Sequence, residues 1–235
     1  MAKLMPIGSV MARARRYLVH WLFASLVFLA FANPGLAMER KSPLKILAIG
    51  DSLMAWNGIV RGSIPDVIEL ASGGELLDRS QIASFVLTGG LERQYVEGDW
   101  DWVVVTGGGN DLWLGCGCQR CDATLDKMIS QDGSSGRIPS LLSRILRDDA
   151  RILYVGYLRS PGIDSLIDHC ATYGTEFERR IDALAASQER ITFLSLADLV
   201  PYGDRTYHAL DMIHPSLKAS FDIGYSATQI ILGKQ

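Results

Sequence analysis

A single α/β domain with a mainly parallel sheet and helices on both faces is the architecture this sequence predicts. The first observation is a set of short, apolar, β-branched runs of strand length, and the second is the helix-periodic segments that alternate with them. The third is the position of the Gly- and Asp-rich clusters. They follow strands directly, at the edge where parallel sheets open their ligand crevice.

Taken in order, Leu44 to Ile49 reads as a buried strand, apolar apart from Lys45 and closed by Gly50. Ile64 to Ala71 follows as a helix. Trp102 to Thr106, with three consecutive valines, is a second strand and ends on three glycines. Ile138 to Arg147 has apolar residues at 138, 141, 142, 145 and 146, one stripe of a helix. Arg151 to Tyr157 and Ile191 to Leu196 make the third and fourth strands, with a helix from Thr175 to Ala186 between them. A last helix starts after Pro215 and runs into Leu232. Runs buried on both faces are the mark of parallel sheets, whose helices cover each side.

The chain has 235 residues, 48% hydrophobic and 21% charged, enough for one large core and without a composition break that would divide it. Its first 37 residues differ from the rest. They hold Lys3, Arg13, Arg15 and Arg16 with no acid, then a greasy stretch from Tyr17 to Ala32, then small residues at Gly35 and Ala37. That is the layout of a secretory signal peptide cleaved after Ala37, leaving 38–235 as the mature domain, periplasmic or secreted. The competing reading is an uncleaved anchor, although the greasy stretch falls short of the roughly twenty residues a span needs. Cleavage leaves 19 Lys and Arg against 26 Asp and Glu, a net charge of −7. With no basic stripe and no interleaved aromatics, nucleic acid is not an expected partner.

The four cysteines fit export. Cys116, Cys118 and Cys121 crowd together and Cys170 stands 49 residues beyond Cys121, an even count suited to an oxidising compartment. Zinc is the alternative, but the spacing is not that of paired knuckles, and the expectation is disulfides with no metal and no cofactor. Cys170 is expected to bridge to one of the cluster, the partner being left open.

Three clusters carry chemistry. Gly50, Asp51, Ser52 and Leu53 follow the first strand; Gly107 to Asp111 follow the second; Asp211, Met212, Ile213, His214 and Pro215 stand near the C-terminus. A serine hydroxyl is a poor nucleophile until a base takes its proton. Of the mature chain's three histidines, His169, His208 and His214, only His214 has a carboxylate at a motif spacing, Asp211. Asp211 would hold one ring nitrogen and leave the other for Ser52. Attack on an ester creates an oxyanion, for which the Asn110 amide and the Ser52 backbone N–H are candidate donors. Met54 stands where the nucleophile elbow of α/β-hydrolases has its second glycine, so the chain is not of that kind.

On these blocks the sequence resembles the SGNH, or GDSL, hydrolase family, from Lys45 onward. The resemblance implies a flavodoxin-like three-layer α/β/α sandwich. It implies Ser52 as nucleophile, Asn110 as oxyanion donor, His214 as base and Asp211 as its partner. The family also expects a glycine N–H in the oxyanion hole midway between Ser52 and Asn110. Here the spacing falls on Ser84, with Gly89 as the alternative.

Simpler readings compete with these. The glycines at 107 to 109 are no P-loop, since no Lys and Ser/Thr pair follows, and Leu112 occupies the last glycine position of a dinucleotide fingerprint. His169 and His208 read as surface or structural residues. Arg159, just past the third strand at the functional edge, reads first as an ion-pair partner of a local acid, with substrate contact as the alternative. The leading expectation is an exported esterase acting through an acyl-serine intermediate. Its substrate would be an acylated envelope glycan, a lysophospholipid or a small acyl ester. An O-acyltransferase using the same triad on a polysaccharide and a non-catalytic carbohydrate-binding protein are the alternatives.

Overall fold

Five parallel strands form the sheet in the computed structural model, which describes residues 42–163 and 165–234. The signal-peptide expectation for residues 1–37 lies outside the described residues. The strands are β1 (Lys45–Ile49), β2 (Glu75–Asp78), β3 (Trp102–Val105), β4 (Arg151–Val155) and β5 (Ile191–Leu194). Their spatial order is β2-β1-β3-β4-β5 and every pair is parallel, with Ile46 opposite Trp102 and Ile49 opposite Val105 across the β1–β3 pair. This is the flavodoxin-like order, in which the chain departs in opposite directions from β1 and β3 and leaves a crevice at their carboxyl ends.

Alternate residues of the strands feed two cores. Ile46, Ala48, Trp102, Val104, Leu153 and Val155 pack with Ile64 and Ile68 of α2 (Ile64–Ser72) and with Ala219, Ile223 and Ala227 of α7 (Leu217–Ile231). Leu47, Ile49, Val103, Val105, Ile152 and Tyr154 pack on the other face. Their neighbours come from α4 (Asp122–Met128), α5 (Arg137–Arg147) and α6 (Ala171–Ala186). The result is three layers. Two short helices, α1 (Ser52–Ala55) and α3 (Gly90–Gln94), lie at the carboxyl edge, and a π-helical turn, Asp111–Gly115, follows the glycines after β3.

The expected strands are present, slightly trimmed, and one strand is added. β2 was unreadable because it is an edge strand with the sequence Glu-Leu-Leu-Asp and little burial, so it lacks a buried run. Tyr157, expected inside the third strand, lies two residues beyond its end. Helix ends follow local chemistry. Ser63 and Asp66 close a capping box at the start of α2, Gly73 ends it at φ +65°, and the Ser216 hydroxyl caps α7.

Candidate active site

Three blocks distant in sequence meet at the carboxyl edge of β1 and β3. Asp51 caps α1, its Oδ1 accepting the Leu53 N–H at 3.0 Å, which places Ser52 at the first position of that helix. The buried amide of Gln94 clamps the turn before it. Its Oε1 accepts the Gly50 N–H at 2.6 Å and its Nε2 donates to the Gly50 carbonyl at 2.9 Å.

His214 comes from the loop before α7. The His208 and Pro215 backbones form an antiparallel bridge, and the Ala209 N–H donates to the His214 carbonyl at 2.8 Å, which pins the loop. Met212 takes a left-handed φ of +59°, a conformation unusual for a side chain of that kind, so that the loop turns tightly on Asp211. Asp211 Oδ1 accepts the backbone N–H groups of Ile213 and His214, each at 3.0 Å, and Oδ2 lies 2.6 Å from His214 Nδ1. His214 Nε2 lies 2.9 Å from Ser52 Oγ. Burial pushes the Asp211 carboxyl up, yet the hydrogen bonds from the His214 ring and the two backbone N–H groups together hold it below the usual carboxylate range.

Asn110 is nearly buried, and its Nδ2 donates to the Ser84 carbonyl at 2.9 Å. An amide has two N–H donors, so one is fixed by Ser84 and the other is left for the cleft. Ser84 therefore stands next to Asn110. Its hydroxyl accepts from Gln94 Nε2 at 3.0 Å, which explains how a serine fits where a glycine was expected. The Gly89 N–H is committed to the Val86 carbonyl at 3.0 Å. Asp111 ties this segment to the glycine turn, its two oxygens accepting the Val86 and Leu87 N–H groups at 2.8 and 2.9 Å.

Sequence reasoning missed two aromatic residues. The Trp56 ring stacks on the His214 ring, centroids 3.8 Å apart and planes 6° from parallel. The Tyr157 hydroxyl donates to Asp51 Oδ2 and accepts the Gly109 N–H at 2.8 Å, joining the first block to the second. A Cβ on Gly109 would come within 2.7 Å of the Tyr157 ring, so only glycine lets that turn approach. Burial raises the Asp51 carboxyl, opposed by its bonds to Tyr157 and Leu53 and by His214, and burial holds the Tyr157 phenol well above its ordinary range. Trp56 sits four residues after Ser52, a spacing that would have flagged it. Tyr157 carried no such signal, being the last apolar letter of an apparent strand.

Arg159 pairs with buried Glu178 at 2.5 Å, as its expected role requires, and Glu178 also accepts the Tyr157 N–H at 2.7 Å. His208 is buried, and burial lowers its pKa against the opposing effect of the Arg159 backbone. His169 is exposed. The cysteines pair as Cys116 with Cys121 and Cys118 with Cys170, one of the connectivities the sequence left open. Among the described residues no helix is long and apolar enough to cross a membrane.

The GDSL-like Lipase/Acylhydrolase family matches residues 48–219. Solved structures share the fold at low identity. TesA has a TM-score of 0.57 at 20% identity, covering 81% of this chain and 98% of its own. A catalytic mutant of the acetylxylan esterase Axe2 from Geobacillus stearothermophilus gives 0.58 at 16% identity, over 82% and 95%. A carbohydrate acetylesterase family member from Sinorhizobium meliloti gives 0.54 at 13%, over 81% and 99%. No curated protein matches the sequence.

Proposed function

This chain belongs to the GDSL-like lipase/acylhydrolase family, and from that premise we propose that it is an exported esterase working through an acyl-serine intermediate, with Ser52, His214 and Asp211 as its triad. Membership makes it a serine hydrolase of ester bonds. The observation that carries the finer reading is the unbroken line from Asp211 Oδ2 to His214 Nδ1 at 2.6 Å and from His214 Nε2 to Ser52 Oγ at 2.9 Å.

In this reading His214 Nε2 takes the Ser52 proton as Oγ attacks the ester carbonyl carbon. The carbonyl π electrons pass to oxygen, and the oxyanion is met by the Ser52 N–H, the free Asn110 N–H and the Ser84 N–H. The imidazolium then gives its proton to the departing alcohol oxygen. A water repeats the sequence on the acyl-serine, and His214 returns the proton to Ser52. Asp211 stays ionised throughout, consistent with its lowered pKa. The substrate classes in view are acylated envelope glycans, lysophospholipids and small acyl esters. Export is supported by the basic, then apolar, then small-residue start of the chain and by the two disulfides.

The test is covalent labelling. A fluorophosphonate should label the protein at Ser52 alone, and Ser52→Ala should lose both the label and nearly all ester hydrolysis while keeping the wild-type melting temperature. Labelling that persists in Ser52→Ala would refute the nucleophile.

A further inference from the structure

The esterase reading leaves the acyl group open, and an assignment of that group rests on the reading. Ser52 opens onto a cleft of about 360 Å³ whose lining includes His214 and both cysteines of the Cys118–Cys170 disulfide. Two segments supply much of its apolar lining: Leu112 and Trp113, shortly after Asn110, and Ile167, Ala171 and Phe177, before and within α6. The disulfide ties these two segments together.

The ionic groups in the lining are engaged. Asp51 accepts from Tyr157, Arg159 pairs with Glu178, and Asp168 accepts from Ser160. Arg159 is the cleft's cation, so an anionic ligand would have to break its pair with a carboxylate that is only 6% exposed. An apolar chain meets surfaces that gain by losing water.

Direction follows from the chemistry. His214 must protonate the departing oxygen, so the alcohol leaves on the His214 side. The acyl substituent is then left to the rest of the cleft, whose apolar lining includes Leu112, Phe177 and the disulfide. Size follows from volume. At about 30 Å³ for each water-sized group, the three heavy atoms of an acetyl fill roughly a quarter of the cleft and leave the rest as water against apolar walls.

We propose that this cleft is an acyl-chain site for medium-length saturated chains of roughly six to ten carbons, lined in part by the Cys118–Cys170 disulfide. The chain class is thereby set by the pair of segments that the disulfide holds.

The experiment measures kcat/KM of the purified protein on p-nitrophenyl esters from acetyl to palmitoyl, beside Ser52→Ala, Ala171→Phe and Trp113→Ala. Burying a methylene is worth up to about fourfold, so the octanoyl ester should exceed the acetyl ester by at least about 100-fold, with a fall again at palmitoyl. Ala171→Phe, which fills the cleft, should cut the octanoyl-to-acetyl ratio by about tenfold or more. Trp113→Ala, which widens it, should move the optimum to longer chains. The ratio is the readout because a misfolded variant lowers both esters together. A flat or acetyl-preferring series with hydrolysis that depends on Ser52 overturns this inference and leaves the esterase reading standing, as does a ratio that neither variant moves. No Ser52-dependent hydrolysis of any ester overturns the esterase reading and the inference with it.

Discussion

The His214 imidazole is held on three sides, by Asp211 at Nδ1, by Ser52 at Nε2 and by the Trp56 ring on its face. Each contact has a separate consequence. His214→Ala should lower kcat by about 10⁴-fold or more, since the members of the proposed triad would act as a unit. Asp211→Asn should cost about 10⁴-fold for another reason, because an amide no longer fixes the productive tautomer. Trp56→Ala should cost about fivefold, the scale of an aromatic contact of roughly 1 kcal/mol, and Trp56→Phe should restore most of it. Single-turnover kinetics on an aryl ester measure all three. His208→Ala should leave kcat near wild type while lowering stability, since its buried ring contacts none of the reacting groups; an equal loss of rate at His208 and His214 would mean that the wrong histidine carries the proton.

Between elements, the covalent and ionic ties converge on the entry to α6. Cys118–Cys170 closes a separation of 52 residues and Cys116–Cys121 one of 5. Loop-closure entropy then gives an upper value of about 4 kcal/mol for the first and about 2 kcal/mol for the second. Replacing Cys118 and Cys170 by Ala should lower Tm by about 10 °C, roughly twice the effect of replacing Cys116 and Cys121, by calorimetry. One turn into α6, Glu176 bonds both Arg179 and Arg180, and buried Arg180 reaches back to Asp126 and the Ile129 carbonyl. The hydrogen bonds from Arg179 and Arg180 hold the Glu176 carboxyl down at about 2. A depressed folded-state pKa stabilises above the unfolded pKa, and that contribution is lost as pH falls through the folded one. The stability gap between wild type and Glu176→Gln should therefore be full at pH 7 and vanish on going from 4.5 toward 2. Glu176 is partly exposed, so solvent screening keeps the gap under about 1 kcal/mol. Denaturant titrations across that range would show it, and a gap that grows toward acid would reverse the sign.

At the scale of the molecule, what was readable in the sequence was what the parallel sheet makes periodic or abrupt. β1, β3 and β4 are buried on both faces, so each announces itself as an apolar run that stops at a glycine or an irregular turn. Ser52 and Asn110 stand in short motifs next to two of those stops, and Asp211 and His214 in a short motif just before the last helix. Edge strand β2 has no buried face to advertise it, and Gln94 and Tyr157 act across 44 and 106 residues on partners that no local pattern links. The Ser84 hydroxyl, at the position where the family resemblance leads one to expect a glycine, is satisfied by one of them.

The whole-chain expectation left to test is export, and it binds the N-terminus to the disulfides. Thiols near Asn110 pair only where the compartment oxidises them. The chain made with its own first 37 residues should appear in the periplasm or medium with Met38 as its first residue, by N-terminal sequencing, and with no thiol free to react with a disulfide reagent under denaturing conditions. A version beginning at Met38 and kept in a reducing cytoplasm should titrate four thiols and melt about 15 °C lower, the cost of the two disulfides together. Recovery of the full-length chain in the membrane fraction would instead make the first segment an anchor, with the esterase domain tethered at the membrane surface.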